Sequence, residues 1–179
     1  MEHQELRLEP LTQDHLPLLL EWRRGIRPTL RTKHLLSLEE ERRWLKSLQI
    51  PSPPVHYFAL ENSTGDVFAF TGLVNIDYSN KRAEVALLIG PDHRGKGSGK
   101  RAIELLREEA FTHLGLLVLW GECYTENQVG LKFWKALTKD YEGFGSMLPA
   151  THLVEGTRLG HSYFFTWLHP SIQEEVLHA

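Results

Sequence analysis

The chain carries the segment Ile89-Gly90-Pro91-Asp92-His93-Arg94-Gly95-Lys96-Gly97-Ser98-Gly99-Lys100, which lies between a short apolar run and a run with helical character. Residues 85–89 predict a strand, and residues 102–107 predict a helix. Glycine between two such elements allows a sharp bend and the close approach of a ligand. The first N–H groups of a helix have no intrahelical acceptor, and the helix dipole makes that end positive. With its basic side chains, Arg94, Lys96 and Lys100, followed by Arg101, the segment predicts a phosphate-binding loop.

The spacing of the glycines narrows the kind of phosphate loop. A Walker A loop starting at Gly95 would need glycine where Lys100 stands, which argues against a nucleotide phosphotransferase. In the dinucleotide fingerprint Gly-x-Gly-x-x-Gly, the third glycine would come one residue after Gly99. The stretch from Arg94 to Gly99 does fit Arg-x-x-Gly-x-Gly. It resembles the acetyl-CoA pyrophosphate loop of the GCN5-related N-acetyltransferase (GNAT) family; the alternative is a surface turn.

The composition limits the class of protein. A chain of 179 residues, 41% hydrophobic and 24% charged, is typical of one globular domain, here 1–179. The net charge of -3 provides no basic field, so no nucleic-acid partner is expected. Cys123 is the only cysteine, which excludes an internal disulfide and favours the cytoplasm. The polar start is unlike a signal peptide and no apolar run reaches membrane-spanning length, so no membrane partner is expected.

The order of the secondary-structure signals predicts a mixed α/β fold. The signals run β-α-α-β-β-β-α-β-α-β, with one more strand near Tyr141 or Val154. Residues 171–177 predict a short helix or a frayed tail. This order is the one expected of the GNAT family. The resemblance therefore implies an α/β (α+β) fold with a central mixed, mostly antiparallel sheet of about six or seven strands, flanked by about four helices.

Local signals place several element boundaries. Asp14 is expected to cap the first helix, with Pro17 in its first turn. Residues 37–40 have the pattern of a capping box and open the second helix. The apolar run 116–120 predicts a strand that is covered on both faces. Asn127 is expected to cap a helix after that strand.

The resemblance also implies how acetyl-CoA would be bound. In the family, the strand before the loop parts from its neighbour, and its main chain pairs with the pantetheine arm. Here that strand ends with Leu87, Leu88 and Ile89, whose side chains can equally be core. Asn127 would bond the pantetheine arm while also serving as a helix cap. The implied cofactor-binding residues are Leu87, Leu88, Ile89, Arg94, Gly95, Lys96, Gly97, Ser98, Gly99, Lys100, Asn127 and Phe133.

Acetyl transfer to an amine needs a base for the amine and an acid for the leaving sulfur. Glu84 is the first candidate base, because related enzymes often carry Glu on this strand; the alternative is a cross-strand ion pair with Arg82 or Lys81. Glu122 is the second candidate, with an exposed strand-end acid as its alternative.

The candidate acid departs from the family pattern. Many members place Tyr where Trp134 stands, and an indole N–H cannot act as that acid. Tyr124 is the candidate substitute, and water is the alternative. A covalent intermediate on Cys123 is disfavoured, since no His-Asp pair can be placed around it. His93 and His161 are further possible bases, and no cluster has metal-ligand spacing.

The N-terminal third is the part that contacts the acceptor in this family. Trp22, Arg23 and Arg24 resemble a subgroup acting on ribosomal-protein alanine, spermidine or nucleotide-linked amino sugars. Together with Arg27 and Arg31, these arginines could hold a nucleotide diphosphate, or they could form a solvated basic helix end.

The resulting hypothesis is an acetyl-CoA-dependent N-acetyltransferase. It would transfer the acetyl group directly to a primary amine, namely a nucleotide-linked amino sugar, a protein or peptide N-terminus, or a small-molecule amine. The alternative is a catalytically impaired acyl-CoA-binding or regulatory module of the same fold. A homodimer is one assembly that the resemblance allows.

Overall fold

The computed structural model describes residues 5–27, 30, 36–154, 156 and 158–177, with the side chains of 175 and 177 left out. The strands are β1 (Arg7–Pro10), β2 (His56–Glu61), β3 (Val67–Asp77), β4 (Arg82–Ile89), β5 (Val118–Tyr124), β6 (Phe144–Val154) and β7 (Arg158–Leu168). The helices are α1 (Leu16–Gly25), α2 (Leu38–Ser47), α3 (Ser98–Glu108), α4 (Gln128–Asp140) and α5 (Pro170–Leu177).

The seven strands form one sheet in the order β1-β2-β3-β4-β5-β7-β6. Among the described strands, β4 and β5 pair in parallel and every other neighbouring pair is antiparallel. The prediction of a mixed, mostly antiparallel sheet of about six or seven strands is therefore confirmed. The additional strand is β6, which begins three residues after Tyr141 and ends at Val154. The helices number five in the described residues, because the C-terminal segment forms α5.

Helices cover the two faces of the sheet at different places. On one face, α3 and α4 pack on the centre of the sheet, where Ile103 and Leu106 meet Val85 and Leu119. On the other face, Leu16, Leu19 and Trp22 of the α1 region pack on Ala59 and Phe70. Burial of these apolar side chains supplies the main driving force for folding.

Two of the predicted helix caps are present. The Ser37 Oγ accepts the Glu40 N–H at 3.2 Å, and the Glu40 carboxylate accepts the Ser37 N–H at 2.7 Å. The Asn127 side-chain oxygen accepts the Gly130 N–H at 3.0 Å at the start of α4. The prediction that Asp14 caps the first helix is wrong. Asp14 lies inside a 3₁₀ turn, Gln13–His15, which precedes α1, and His15 is the N-cap residue.

The strand predicted over 116–120 is displaced towards the C-terminus. β5 starts at Val118 because the Leu116 N–H already donates to Ala110 O (2.9 Å) and the Leu117 N–H to Lys81 O (2.7 Å). Burial alternates along β5, with Leu119, Gly121 and Cys123 buried and the residues between them half-exposed. The prediction that this strand is covered on both faces is therefore wrong. Its half-exposed face is what makes Glu122 and Tyr124 reachable.

None of the helices in the described part of the chain combines the length and the apolarity needed to cross a membrane.

Candidate active site

The sheet opens between β4 and β5. Parallel pairing covers Arg82–Glu84 against Val118–Trp120, and then it stops although both strands continue. β4 runs on to Ile89 against β3, and β5 runs on to Tyr124 against β7. Each strand thus keeps its outer partner while the inner edges diverge. The β4 edge over residues 85–89, which includes Leu87, Leu88 and Ile89, is left facing the opening.

The glycine loop, residues 94–99, follows the open end of β4. Gly95 (φ 70°) and Gly97 (φ 88°) are left-handed, and a Cβ on either would meet nothing within 4 Å. The backbone conformation, not crowding, therefore requires glycine at these two positions. Gly97 is the N-cap of α3, and its carbonyl accepts the Arg101 N–H at 3.0 Å. The first-turn N–H groups, from Ser98 to Lys100, consequently have no acceptor within the helix.

Gly99 is required for a different reason. A Cβ there would lie 2.6 Å from the Ile89 Cδ1 and 3.2 Å from the Phe133 ring. The first turn of α3 thus packs closely against the end of β4 and against α4. Phe133, the predicted cofactor contact, lies within this junction.

The charges around the loop are unevenly distributed. A cavity of about 540 Å³ at the start of α3, here called the loop cavity, is lined by Phe68, His93, Lys96, Gly97, Ser98 and Arg101 among others. The Lys100 ammonium lies 3.0 Å from Asp140, which raises the pKa of that lysine. Arg94 is exposed. Lys96 and Arg101 are the lysine and the arginine that line the loop cavity.

Glu84 lies where the pairing of β4 and β5 ends. Its side chain is 4% exposed, and its carboxylate accepts a hydrogen bond from the Asn75 side chain at 2.8 Å. The β3–β4 register shifts between Val74 and Asp77, and Asn75 there has a left-handed backbone (φ 52°). Sequence reasoning missed Asn75; an amide directly after the apolar run 67–74 is the signal that could have indicated it.

β5 brings the other two candidate catalytic residues to the opening. Glu122 and Tyr124 occupy its half-exposed face, while Cys123 points to the buried side. The Tyr124 ring stacks on His152 at 3.7 Å, and the His152 Nε2 lies 2.9 Å from the Glu126 carboxylate. His152 is therefore a second residue that sequence reasoning missed, because it reaches Tyr124 from β6.

Two residues of β5 and α4 are unsuited to acid–base or nucleophilic work. Burial raises the pKa of the Cys123 thiol to about 11, so the thiolate is scarce at neutral pH. Trp134 stacks on Phe165 at 4.9 Å and belongs to the core. Within the described ranges, no group of three or more His, Cys, Asp or Glu side chains could hold a metal ion.

A second cavity, of about 480 Å³, lies between α1, α2 and the middle of the sheet and is here called the α1–α2 cavity. It extends to Ala86, Leu87 and Leu88 of β4. The α1–α2 cavity is thus lined by the open stretch of β4, whereas the loop cavity lies at the start of α3, after the end of that strand.

The predicted acceptor residues lie in three different environments. Trp22 is buried against Phe70, with ring centroids 5.2 Å apart. Arg23 lines the α1–α2 cavity and lies 2.7 Å from the carboxylate of the buried Glu41. Arg24 and Arg27 are exposed, and Arg31 lies outside the described residues. Of the three described arginines, the structure therefore brings Arg23 to the cavity, and it is already paired.

The sequence of this chain is similar to known acetyltransferases. The family described as "Acetyltransferase (GNAT) domain" matches residues 5–137. The spermidine N(1)-acetyltransferase of Escherichia coli K12 is 32% identical over 79 residues, which are 44% of this chain and 42% of that protein. An uncharacterized N-acetyltransferase, p20, of Bacillus licheniformis is 27% identical over 99 residues, which are 55% of this chain and 56% of that one. The matched part thus spans about half the length of these relatives.

A solved structure extends the likeness of the fold to nearly the whole chain. The spermidine N-acetyltransferase from Vibrio cholerae, in complex with CoA and spermine, superposes with a TM-score of 0.78. The superposition covers 91% of this chain and 95% of that one, at 20% sequence identity. It supports the fold alone.

Proposed function

Because the chain belongs to the acetyltransferase (GNAT) domain family, we propose that it is an acetyl-CoA-dependent N-acetyltransferase acting on a primary amine. The observation that carries the proposal is the opening of the sheet: β4 and β5 stop pairing after Glu84 and Trp120, directly before a glycine loop that caps α3. We propose one acetyltransferase domain over 1–179, since all described strands join one sheet. The cytoplasm remains a prediction.

The residues at the opening suit acetyl-CoA. The β4 edge at residues 85–89 offers main-chain donors and acceptors to an amide-rich arm, as when a peptide strand is added to a sheet. Gly97 and the first turn of α3 direct N–H groups towards a diphosphate, with Lys96 and Arg101 close by. Asn127 already accepts the Gly130 N–H, and its side-chain NH₂ is the group that we assign to the pantetheine arm. Acetyl-CoA supplies the activated acyl group as a thioester.

The proton transfers are assigned to the side chains around the opening. We assign to the Glu84 carboxylate the proton that the amine loses as its nitrogen forms the C–N bond, directly or through one water. The Asn75 hydrogen bond fixes this carboxylate at the last paired residue of β4. We assign to the Tyr124 hydroxyl the donation of a proton to the leaving sulfur. Stacking on His152 limits the motion of the Tyr124 ring. Glu122, on the same face of β5 as Tyr124, is the second candidate base.

One observation favours a second function. Trp134, where many family members have the catalytic Tyr, packs into the core on Phe165. A module that binds acyl-CoA without transferring the acyl group would be consistent with that replacement. The presence of Tyr124 on the open face of β5 favours the enzyme.

Binding and turnover measured on the same preparation distinguish the two. Calorimetry is expected to give saturable acetyl-CoA binding, and thiol release over a panel of amines is expected to exceed the spontaneous rate. Saturable binding with no thiol release from any amine would identify the binding module. Absence of binding at millimolar acetyl-CoA would reject both.

A further inference from the structure

The chemistry of the α1–α2 cavity narrows the class of acceptor. Its described lining is mainly apolar and aromatic, drawn from α1, α2 and strands β2 to β4; Leu19, Trp44, Tyr57, Phe70, Val74 and Leu88 are examples. A volume of about 480 Å³ is in the range of small-molecule sites. The lining therefore favours a ligand with a substantial apolar body.

The charged groups in that lining are already engaged. Of the described lining residues, Arg23, Glu40 and Glu41 carry charge. Arg23 and Glu41 pair at 2.7 Å, so their charges largely cancel. The Glu40 carboxylate accepts the Ser37 N–H at 2.7 Å in the capping box of α2. A second ammonium group on a ligand would have to compete with these partners for a carboxylate.

The neighbouring segment of sequence brings no carboxylate to the site. Residues 28–35 contain Arg31 and Lys33 and have neither Asp nor Glu. Wherever these residues lie, they add no counter-charge for a polycation.

The cavity also reaches the proposed site of transfer. Ala86, Leu87 and Leu88 of β4 line it, and they belong to the stretch that has parted from β5. Side chains alternate between faces along a strand, so Glu84 lies on the same face as Ala86 and Leu88. An amine whose apolar body fills the cavity can direct its nitrogen along β4 towards Glu84.

We propose that the acceptor is a primary amine with an alkyl or aryl body, not a polyamine. This proposal rests on the proposed acetyl transfer, because it identifies the α1–α2 cavity as the acceptor site of that reaction. The single ammonium group loses its proton at the opening, and the apolar body is buried by the cavity. A second ammonium buried without a counter-ion would be strongly unfavourable.

A matched pair of amines tests the proposal. Hexylamine and 1,5-diaminopentane have chains of equal length and differ by one terminal methyl exchanged for an ammonium group. With the full chain and saturating acetyl-CoA, kcat/KM is expected to be about 30-fold or more higher for hexylamine, in line with the cost of burying an unpaired polar group. In the series from butylamine to octylamine, kcat/KM is expected to rise roughly fourfold per methylene until the cavity is full. Equal or better turnover of 1,5-diaminopentane or spermidine would overturn this inference and leave the acetyltransferase proposal intact.

A pair of variants tests whether the α1–α2 cavity is responsible. Leu36→Glu places a carboxylate in the lining, and Ile50→Glu places one on an exposed surface outside it. Leu36→Glu is expected to reduce the preference for hexylamine at least about tenfold, and Ile50→Glu is expected to leave it unchanged. Thermal unfolding of both variants checks that they fold. An unchanged preference in a folded Leu36→Glu variant would overturn the assignment of the cavity.

If no amine is acetylated, equilibrium binding distinguishes failure of the proposed acetyl transfer from failure of the proposed apolar acceptor site. In that case the acetyltransferase proposal fails, and calorimetry of the two amines with the CoA-loaded chain still tests the cavity. Tighter binding of hexylamine supports the apolar site, and equal or tighter binding of 1,5-diaminopentane rejects it.

Discussion

The glycine loop follows the open stretch of β4, the α1–α2 cavity is lined by that stretch, and the two are built on different principles. In the loop, left-handed Gly95 and Gly97 place main-chain groups at the start of α3. In the cavity, side chains from two helices and three strands form the surface, and its lining charges are engaged within the protein. A main-chain site suits a ligand shared by a whole family, whereas a side-chain site can change with the acceptor.

The largest expected effect is at Glu84, the last residue of β4 that pairs with β5. Glu84→Gln is expected to lower kcat by about ten- to a thousandfold, because the amide cannot take a proton from the amine. The measurement is thiol release at saturating acetyl-CoA and hexylamine, with pH profiles of both proteins. Asp77→Asn, which removes a nearby carboxylate that lies 3.5 Å from Arg82, is the matched control and is expected to leave kcat within about threefold. A larger loss in Glu122→Gln than in Glu84→Gln would transfer the role of base to Glu122.

The second-largest effect is expected on acetyl-CoA binding at the glycine loop. Gly97→Val is expected to weaken acetyl-CoA binding by roughly a hundredfold, because a β-branched residue is strained at φ 88° and relief of that strain moves the first turn of α3. Calorimetry measures the affinity. Gly65→Val is the control, since Gly65 has a similar φ of 84° and equally open surroundings but lies between β2 and β3. Equal losses of affinity in both variants would show that general strain, not the loop, is responsible.

A smaller effect is expected from the buried ion pair of the α1–α2 cavity. Burial raises the pKa of Glu41 above its ordinary value of 4.5, and the Arg23 charge opposes this shift. A carboxyl whose pKa is higher in the folded than in the unfolded protein stabilises the fold most when the pH is below its pKa in the unfolded protein. That stabilisation is lost as the pH rises through its pKa in the folded protein. From about pH 4.5 upwards, wild type should therefore lose stability relative to Glu41→Gln by about 1.4 kcal/mol for each unit of raised pKa.

Urea unfolding between pH 4 and pH 7 measures this difference. Glu39→Gln, on the exposed first turn of the same helix, is the control and should show no such trend. A difference between Glu41→Gln and wild type that stays constant with pH would contradict the raised pKa.

The smallest expected effect concerns β5 on the far side of the opening. Cys123→Ala should leave kcat within about twofold, because burial raises the pKa of this thiol to about 11 and leaves little nucleophilic thiolate. Thiol release under saturating conditions measures it, and the unmodified protein should react slowly with Ellman's reagent. A loss of hundredfold or more would indicate a covalent acetyl-cysteine route.

Much of the fold follows from local patterns in the sequence. The capping box at Ser37 and the cap at Asn127 act within one helical turn, and both are present as predicted. Asp14 was misassigned because a 3₁₀ turn, closed by the Thr12 N–H donating to the His15 ring at 3.0 Å, competes with a direct helix start. β5 starts later than predicted because a bond to Ala110 in the preceding turn and a long-range bond to Lys81 occupy its first apolar residues. Local signals thus succeed at Ser37 and Asn127, and they fail where another local turn competes, as at Asp14, or where a distant partner intervenes.

The candidate site also has a part that the sequence predicted and a part that it did not. Glycine spacing, together with the strand and helix signals on either side, identified the loop, because these are properties of single residues and short stretches. The Asn75 bond to Glu84, the His152 ring on Tyr124 and the Arg23–Glu41 pair each join residues of different elements, so no local pattern contains them.

The sequence by itself determined the order of strands and helices, the glycine loop and the family that the chain belongs to. These rest on backbone preferences and spacings within short stretches. Only the tertiary structure decided where β4 leaves β5, which side chains line the α1–α2 cavity, and which charges are already paired. Those features arise when segments far apart in the chain are packed together, and the free energy of that packing cannot be assigned to any one segment.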